Sequence, residues 1–133
     1  DGEIQEGQVW EAFMFAHHYK LDNLCVIIDN NGLQIDGAVD KVMSPYPIPD
    51  KLKAFGFAVK EIDGHDFDQI EAAFAQAKAT KGVPFAIVMK TTKGKGVSYM
   101  ENQAGWHGKA PNDEEYKIAM DELTAQLAEV EAM

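Results

Sequence analysis

The sequence is poor in cysteine and has no long hydrophobic segment. Cys25 is the single cysteine in 133 residues, which excludes an internal disulfide framework and fits the reducing conditions of the cytoplasm. Because it lies inside an apolar run, we interpret Cys25 as a small core residue. The longest apolar runs have five residues, as at 24–28, whereas about 20 are needed to cross a bilayer. The sequence shows no signal-peptide pattern, so we expect a cytoplasmic protein.

Positive charge is also scarce relative to negative charge. The chain has 12 basic and 22 acidic residues, which gives a formal net charge of −10. Such a chain repels nucleic-acid phosphates and anionic lipid headgroups at long range, and we therefore exclude nucleic acid and membrane surfaces as partners. A phosphorylated ligand would have to be bound locally, through a metal ion or a few cations.

Helical and strand patterns alternate along the chain, which is typical of an α/β domain with a parallel sheet. Apolar spacing predicts helices at residues 3–19, 50–55, 66–80 and 112–132, and apolar runs predict strands at residues 23–29, 57–62 and 84–90. A fourth strand would be present if Asp1-Gly2 ends one. We expect a single domain with a three-layer α-β-α architecture around a mostly parallel sheet.

Two predicted segments carry further information. The helix at 3–19 is apolar on more than one face, which predicts a core face together with an interface to another chain or domain. Residues 91–111 form a long, glycine-containing irregular segment, and loops of this length in compact domains are usually functional or disordered.

Polar residues follow two of the predicted strand ends, where ligands of such sheets bind. Asp1-Gly2-Glu3 and Asn30-Asn31-Gly32 are separated by one helix and one strand. If the two strands are neighbours, Asp1 and Asn31 lie side by side. A carboxylate, an amide oxygen and a backbone carbonyl would make a hard-oxygen site for Mg²⁺ with positions left for a diphosphate. Taken separately, each segment is more often a simple turn.

Several other polar residues keep two interpretations. His17 and His18 fall late in a helix, where a cation suits the helix dipole, and metal binding is the weaker reading. His65 either braces a turn or contacts a ligand. Lys93 and Lys95 flank glycines and either bind phosphate or remain solvated.

Two stretches of the chain resemble the thiamine-diphosphate motif of transketolases. They are DGEIQEGQVWEA from residue 1 and LCVIIDNNGLQIDG over residues 24–37, and the similarity continues through DGHD, KTTKGKG and GWHG at residues 63–66, 90–96 and 105–108. Pyruvate dehydrogenase and deoxyxylulose-phosphate synthase share the opening and differ in the second half. The resemblance covers nearly the whole chain and implies the thiamine-diphosphate-binding fold.

The resemblance also implies a metal site and cofactor contacts. Asp1 and Asn31 would bind the metal through their side chains and Leu33 through its backbone carbonyl, with Mg²⁺, or Ca²⁺ or Mn²⁺, as the ion. Gly2 would donate its backbone N–H to the diphosphate of thiamine diphosphate. Glu3, next to it in the motif, is also counted among the cofactor-binding residues.

Three further residues receive roles in the same way. Ile35 would contact the thiazolium region of the cofactor. Glu6 resembles the acid of a network that links paired active sites across subunits. His107 resembles the loop histidine that lies near the diphosphate and the reacting centre, where a neutral imidazole can accept or donate a hydrogen bond.

For the complete assembly, the resemblance implies transfer of a two-carbon ketol unit from a ketose phosphate to an aldose phosphate. The glycine that opens the motif, the upstream half of the cofactor domain and the pyrimidine-binding domain are expected outside these residues. Residues 1–133 would then be a partial, N-terminally truncated domain, inactive alone and completed by a complementary chain or domain in a homodimer or heterotetramer. A deoxyxylulose-phosphate synthase-like enzyme and a fragment with only a structural role remain alternatives.

Overall fold

The computed structural model describes residues 1–133 and shows a mixed α/β fold. The strands are β1 Cys25–Asn30, β2 Leu33–Gln34, β3 Gly37–Ala38, β4 Ala58–Asp63 and β5 Phe85–Lys90. The helices are α1 Gly7–His18, α2 Val39–Met43, α3 Ile48–Ala54, α4 Phe67–Ala79 and α5 Asp113–Glu131. Short 3-10 helices span Gly2–Gln5 and Ala104–His107. No helix combines the length and apolar character needed to span a membrane.

The main sheet has three parallel strands in the order β1-β5-β4. The central strand β5 is apolar from Phe85 to Met89 and its first four residues are buried, as expected for a parallel strand that is covered on both faces. The register pairs Asn30 with Lys90 and Lys90 with Asp63 at the carboxyl ends of the strands. The loops that follow all three strands therefore leave from one edge of the sheet.

Helices cover both faces of this sheet. On one face, a core cluster joins Phe13 of α1, Leu52 of α3 and Val88 of β5. A second cluster contains Ala73 of α4 and Ile87 of β5. Neighbouring residues of β5 thus enter different clusters, because side chains alternate between the faces of a strand. The three-layer α-β-α architecture predicted from the sequence is confirmed.

The structure corrects the prediction at the start of the chain. Asp1 and Gly2 do not form a strand: the Asp1 side chain caps the 3-10 helix Gly2–Gln5, and the main sheet has three strands rather than four. The predicted helix at 3–19 is interrupted at Glu6, whose backbone is extended with φ −70° and ψ 125°. The chain therefore reaches the sheet edge in a tight turn before α1 begins at Gly7.

The segment between β1 and β4 contains more regular structure than predicted. An antiparallel pair, β2 with β3, follows β1 directly, and the short helix α2 follows β3. Helix α3 begins at Ile48, two residues before the predicted start at 50, since Pro47 and Pro49 suit the first turn of a helix. These small elements fold residues 31–46 back over the carboxyl edge of the sheet.

Candidate functional site

A cavity of about 520 Å³ lies at the carboxyl edge of β1. It is bounded by the 3-10 helix at the start of the chain, the β2–β3 turn and the loop that follows β5. All eight candidate site residues predicted from the sequence lie at this cavity. Its lining is Asp1, Gly2, Glu3, Gln5, Glu6, Asp29, Asn31, Leu33, Gln34, Ile35, Lys93 and His107.

The Asp1 carboxylate joins the first segment of the chain to the end of β1. Its Oδ1 accepts a hydrogen bond from the backbone N–H of Gly2 at 2.9 Å, and its Oδ2 accepts one from Gly32 at 2.5 Å. The backbone nitrogen of Asp1 donates to the carbonyl of Asp29 at 2.7 Å. Since a carboxylate oxygen can accept more than one bond, Oδ1, which accepts only the N–H of Gly2, keeps an acceptor position for a cation.

The turn after β1 places the other two candidate metal ligands. Asn31 Oδ1 accepts the backbone N–H of Leu33 at 2.9 Å, an Asx turn of the kind that asparagine favours. Gly32 has a positive φ of 76°, a conformation that glycine adopts without strain. This turn keeps Asn31 and Leu33 at the same cavity as Asp1.

Gly2 lies against the β2–β3 turn. A Cβ atom placed on Gly2 would be only 2.9 Å from Cβ of Gln34, so no larger residue fits there without movement. The N–H of Gly2, which the resemblance assigns to the diphosphate, donates to Asp1 in this structure. Gln34 is fixed in turn, because its Oε1 accepts a hydrogen bond from Gln5 Nε2 at 2.7 Å.

The loop after β5 brings two cationic or titratable groups to the cavity. Lys93 Nζ lies 3.4 Å from His107 Nδ1, although 14 residues separate them in the sequence. The loop is braced by Trp106, whose indole Nε1 donates to the carbonyl of Tyr99 at 3.1 Å and whose ring lies 5.1 Å from the Tyr99 ring. These contacts hold the 3-10 helix that carries His107 over the cavity.

The charges of the cavity favour a metal cation. Four carboxylates, those of Asp1, Glu3, Glu6 and Asp29, line it together with the single lysine Lys93. An anion such as a diphosphate would be repelled by this lining unless a divalent ion reversed the local charge. The donor set of one carboxylate, one amide oxygen and one backbone carbonyl suits Mg²⁺, which prefers oxygen ligands and shares them with phosphates. The residues present therefore fit a metal-bound diphosphate.

The other histidines lie outside the cavity. His65 Nε2 accepts the backbone N–H of Thr92 at 2.8 Å, which ties the turn after β4 to the loop after β5. The ring of His17 lies against Gly56, where a Cβ would collide with it. These contacts support the bracing interpretation of His65. Neither His17 nor His18 belongs to a cluster of His, Cys, Asp and Glu that could hold a metal ion.

Four polar contributors to the site were not predicted from the sequence: Gln5, Gln34 and Asp29, which line the cavity, and Tyr46, which contacts Asp1. Gln5 and Gln34 are hydrogen-bonded to each other. The hydroxyl of Tyr46 donates to Asn30 Oδ1 at 3.0 Å and lies 3.4 Å from Asp1 Oδ2. Burial, and secondarily the carboxylate of Asp40, raises the pKa of the Tyr46 phenol. Gln34 lies within the recognised motif and could have been named from it, whereas nothing in the sequence connects Tyr46 with β1.

Known proteins similar to this chain are transketolases. The family model described as transketolase, thiamine diphosphate binding domain, matches residues 1–129. One subunit of the apulose-4-phosphate transketolase of Phocaeicola vulgatus is 43% identical over 131 residues, which cover 98% of this chain and 47% of that protein. The 6-deoxy-6-sulfo-D-fructose transketolase subunit SqwG of a Clostridium species is 44% identical over 128 residues, covering 96% and 46%. The chain thus spans about half the length of these curated relatives.

Solved structures agree with this assignment. The crystal structure of transketolase from Campylobacter jejuni superposes with a TM-score of 0.84 at 36% identity, over 91% of this chain and 19% of that one. Transketolase from Leishmania mexicana has a TM-score of 0.70 at 30% identity, over 99% of this chain and 23% of that one. With a family model that matches nearly every residue and relatives at this level of identity, the chain belongs to the transketolase family.

Proposed function

We propose that the cavity binds thiamine diphosphate through Mg²⁺, or Ca²⁺ or Mn²⁺, as part of a transketolase. The observation that carries the proposal is the convergence of three distant segments, at residues 1–6, 29–35 and 93–107, on one cavity that contains every candidate residue. The parallel strands bring these loops to one edge of the sheet, and the cavity there gathers the oxygen ligands, the lysine and the histidine that suit a metal-bound diphosphate.

Different residues of the cavity bind the metal ion, the diphosphate and the ring of the cofactor. Asp1, Asn31 and the carbonyl of Leu33 bind the metal ion. Its positive charge offsets the negative charge of the carboxylates, so that a diphosphate is no longer repelled from the cavity. Lys93, in the loop after β5, adds a positive charge to the cavity lining. Ile35 is 66% exposed, and covering this apolar side chain with the ring of the cofactor would remove it from water.

His107 is the group of this chain best placed to contact the reacting atoms. Its Nδ1 faces Lys93, and a neutral imidazole beside a lysine can accept a hydrogen bond from that lysine while its other nitrogen donates to a phosphate or to a substrate hydroxyl. Bound thiamine diphosphate supplies the carbanion chemistry, and the protein contributes binding, orientation and hydrogen bonds. Glu6, at the rim of the cavity and before α1, would take part in contacts to a second active site.

The proposed reaction is transfer of a two-carbon ketol unit from a ketose phosphate to an aldose phosphate. Two of the relatives are named as subunits of transketolases, which indicates split enzymes. We propose that a complementary chain or domain provides the pyrimidine-binding site, in a homodimer or heterotetramer in the cytoplasm. Residues 1–133 then form part of the cofactor domain. The exposed side chains of Met14, Phe15 and Tyr19 on α1 suit burial in such an assembly.

Calorimetry of cofactor binding tests the proposal. Thiamine diphosphate is titrated into the full-length chain assembled with its complementary chain, once with Mg²⁺ and once with a chelator. We expect binding heat only with Mg²⁺, and a large loss of affinity in Asp1→Ala and Asn31→Ala because each removes a metal ligand. Unchanged Mg²⁺-dependent binding in both variants would refute the site assignment.

Substrate assays separate the reaction from its alternatives. Ketol transfer between sugar phosphates supports a transketolase, whereas condensation of pyruvate with glyceraldehyde phosphate would indicate a deoxyxylulose-phosphate synthase. An assembly that binds neither metal nor cofactor would support a purely structural role.

A further inference from the structure

We infer that Tyr46 is a positioning residue of the metal site, with its hydroxyl orienting the carboxylate of Asp1. The inference rests on the proposed function, because it needs Asp1 to bind the metal ion. Tyr46 does not line the cavity, so it would act through Asp1 and Asn30 rather than by touching the cofactor.

The geometry of the hydroxyl carries the inference. Tyr46 Oη donates to Asn30 Oδ1 at 3.0 Å and lies 3.4 Å from Asp1 Oδ2. The same Oδ2 atom accepts the backbone N–H of Gly32 at 2.5 Å. The hydroxyl has one proton, which Asn30 Oδ1 and Asp1 Oδ2 share. Asp1 Oδ2 is therefore approached from two segments, by the N–H of the turn after β1 and by the hydroxyl from residues 44–47, and these contacts restrict the rotation of the carboxylate about its χ angles.

The backbone on each side of Tyr46 is held in place. Gln5 Nε2 donates to the carbonyl of Met43 at 2.6 Å, and Lys51 Nζ donates to the carbonyl of Pro45 at 2.6 Å. Pro45 is buried. Tyr46 is thus anchored although its side chain is 37% exposed, and its hydroxyl is presented to the site by a fixed segment.

The expected contribution follows from the behaviour of other metal sites. Groups that hydrogen-bond to metal ligands typically change metal affinity by about 10- to 100-fold when they are removed. Since the contact with Asp1 is long and Gly32 remains as a second donor, we expect the lower end of this range. The half-saturating Mg²⁺ concentration should therefore rise about tenfold when the hydroxyl is lost.

The test uses Tyr46→Phe in the full-length chain assembled with its complementary chain. This variant keeps the ring and removes only the hydroxyl. Binding heat of thiamine diphosphate is measured at a series of Mg²⁺ concentrations, and the melting temperature of the protein without cofactor and metal is measured in parallel. Tyr116→Phe, at a side chain on α5 that is 57% exposed, is the matched control, and Asp1→Ala reports on the metal site itself.

We expect Tyr46→Phe to need about tenfold more Mg²⁺ for half-saturation, with an unchanged melting temperature, and Tyr116→Phe to match the wild type in both. Wild-type Mg²⁺ dependence in Tyr46→Phe, while Asp1→Ala loses binding, would overturn the inference and leave the proposed function intact. A lower melting temperature with unchanged Mg²⁺ dependence would also overturn it, since the role would then be structural. Unaltered binding in Asp1→Ala would remove the proposed metal site and the inference with it.

Discussion

Replacing Gly2 with alanine tests whether the close packing of the first turn against the β2–β3 turn defines the cofactor site. The added Cβ would lie 2.9 Å from Cβ of Gln34, which is about 0.6–1.1 Å closer than carbon atoms normally approach. The atom it meets is the first atom of the Gln34 side chain, so a change of rotamer cannot relieve the contact. The backbone of the β2–β3 turn has to move instead.

The movement has a predictable cost for binding. Overpacking by one methyl group typically costs about 1–3 kcal/mol. Binding requires the turn in its original place, because the turn carries Leu33 and Ile35. The cost of returning it there is then subtracted from the binding free energy, which corresponds to roughly 5- to 150-fold weaker binding of thiamine diphosphate.

Gly7→Ala provides the matched control. A Cβ on Gly7 meets nothing within 4 Å, and Gly7 is the first residue of α1, where alanine is tolerated or stabilising. Calorimetric titration of thiamine diphosphate at saturating Mg²⁺ should show weaker binding in Gly2→Ala and wild-type binding in Gly7→Ala. If Gly2→Ala binds as tightly as Gly7→Ala, the turn yields without cost and the reasoning from this contact is wrong.

Three further predictions concern the loop, the core and a helix cap. His107→Ala should lower turnover about tenfold or more without changing thermal unfolding, because the side chain is exposed; steady-state kinetics and melting curves check this. Leu52 is fully buried, so Leu52→Ala should lower the free energy of unfolding, measured by urea titration, by about 2–5 kcal/mol. Leu127 is 56% exposed, so Leu127→Ala should change the free energy of unfolding by less than about 1 kcal/mol. Hydrogen bonds from the backbone and side chain of Gln69 lower the pKa of Asp66. The charged carboxylate therefore stabilises the fold above the ordinary carboxyl pKa range, and this contribution is lost as the pH falls through the lowered pKa. Acid-unfolding curves of Asp66→Asn and wild type should differ near neutral pH and converge in acid.

The features that were predictable from the sequence depend on local or strongly patterned signals. Strand β5 and helix α4 begin and end within one residue of their predicted bounds. Both are recognisable from residues that are close in sequence, β5 from its apolar run and α4 from the capping residue Asp66. Helix α5 begins with the capping box of Asn112 and Glu115, which also lies within a few residues of sequence. Among the candidate site residues, Asp1 and Asn31 were singled out by their positions after predicted strand ends, and the roles of the others came from the family motif rather than from periodicity.

The features that were missed depend on contacts between distant residues. The extended backbone at Glu6 interrupts an apolar helical pattern, since Asp1 is held by Asp29 and Gly32 and the chain must turn to enter α1. The β2–β3 turn has strands of two residues each, too short for a period to be recognised. Tyr46 meets Asn30 across 16 positions, and a single-sequence pattern does not contain this distance.

The dispersion of the site along the chain links cofactor binding to the stability of the fold. The cavity takes residues from the first turn, from the turn after β1 and from the loop after β5, so a ligand held by all three segments bridges the ends of two neighbouring strands. A ligand that binds only this arrangement stabilises it by about 2.7 kcal/mol when its concentration is 100 times the dissociation constant. Because four carboxylates face the cavity, the stabilisation should require metal and cofactor together. Mg²⁺ alone should raise the melting temperature less than Mg²⁺ with thiamine diphosphate, and thiamine diphosphate alone should not raise it, since the diphosphate then meets uncompensated negative charge.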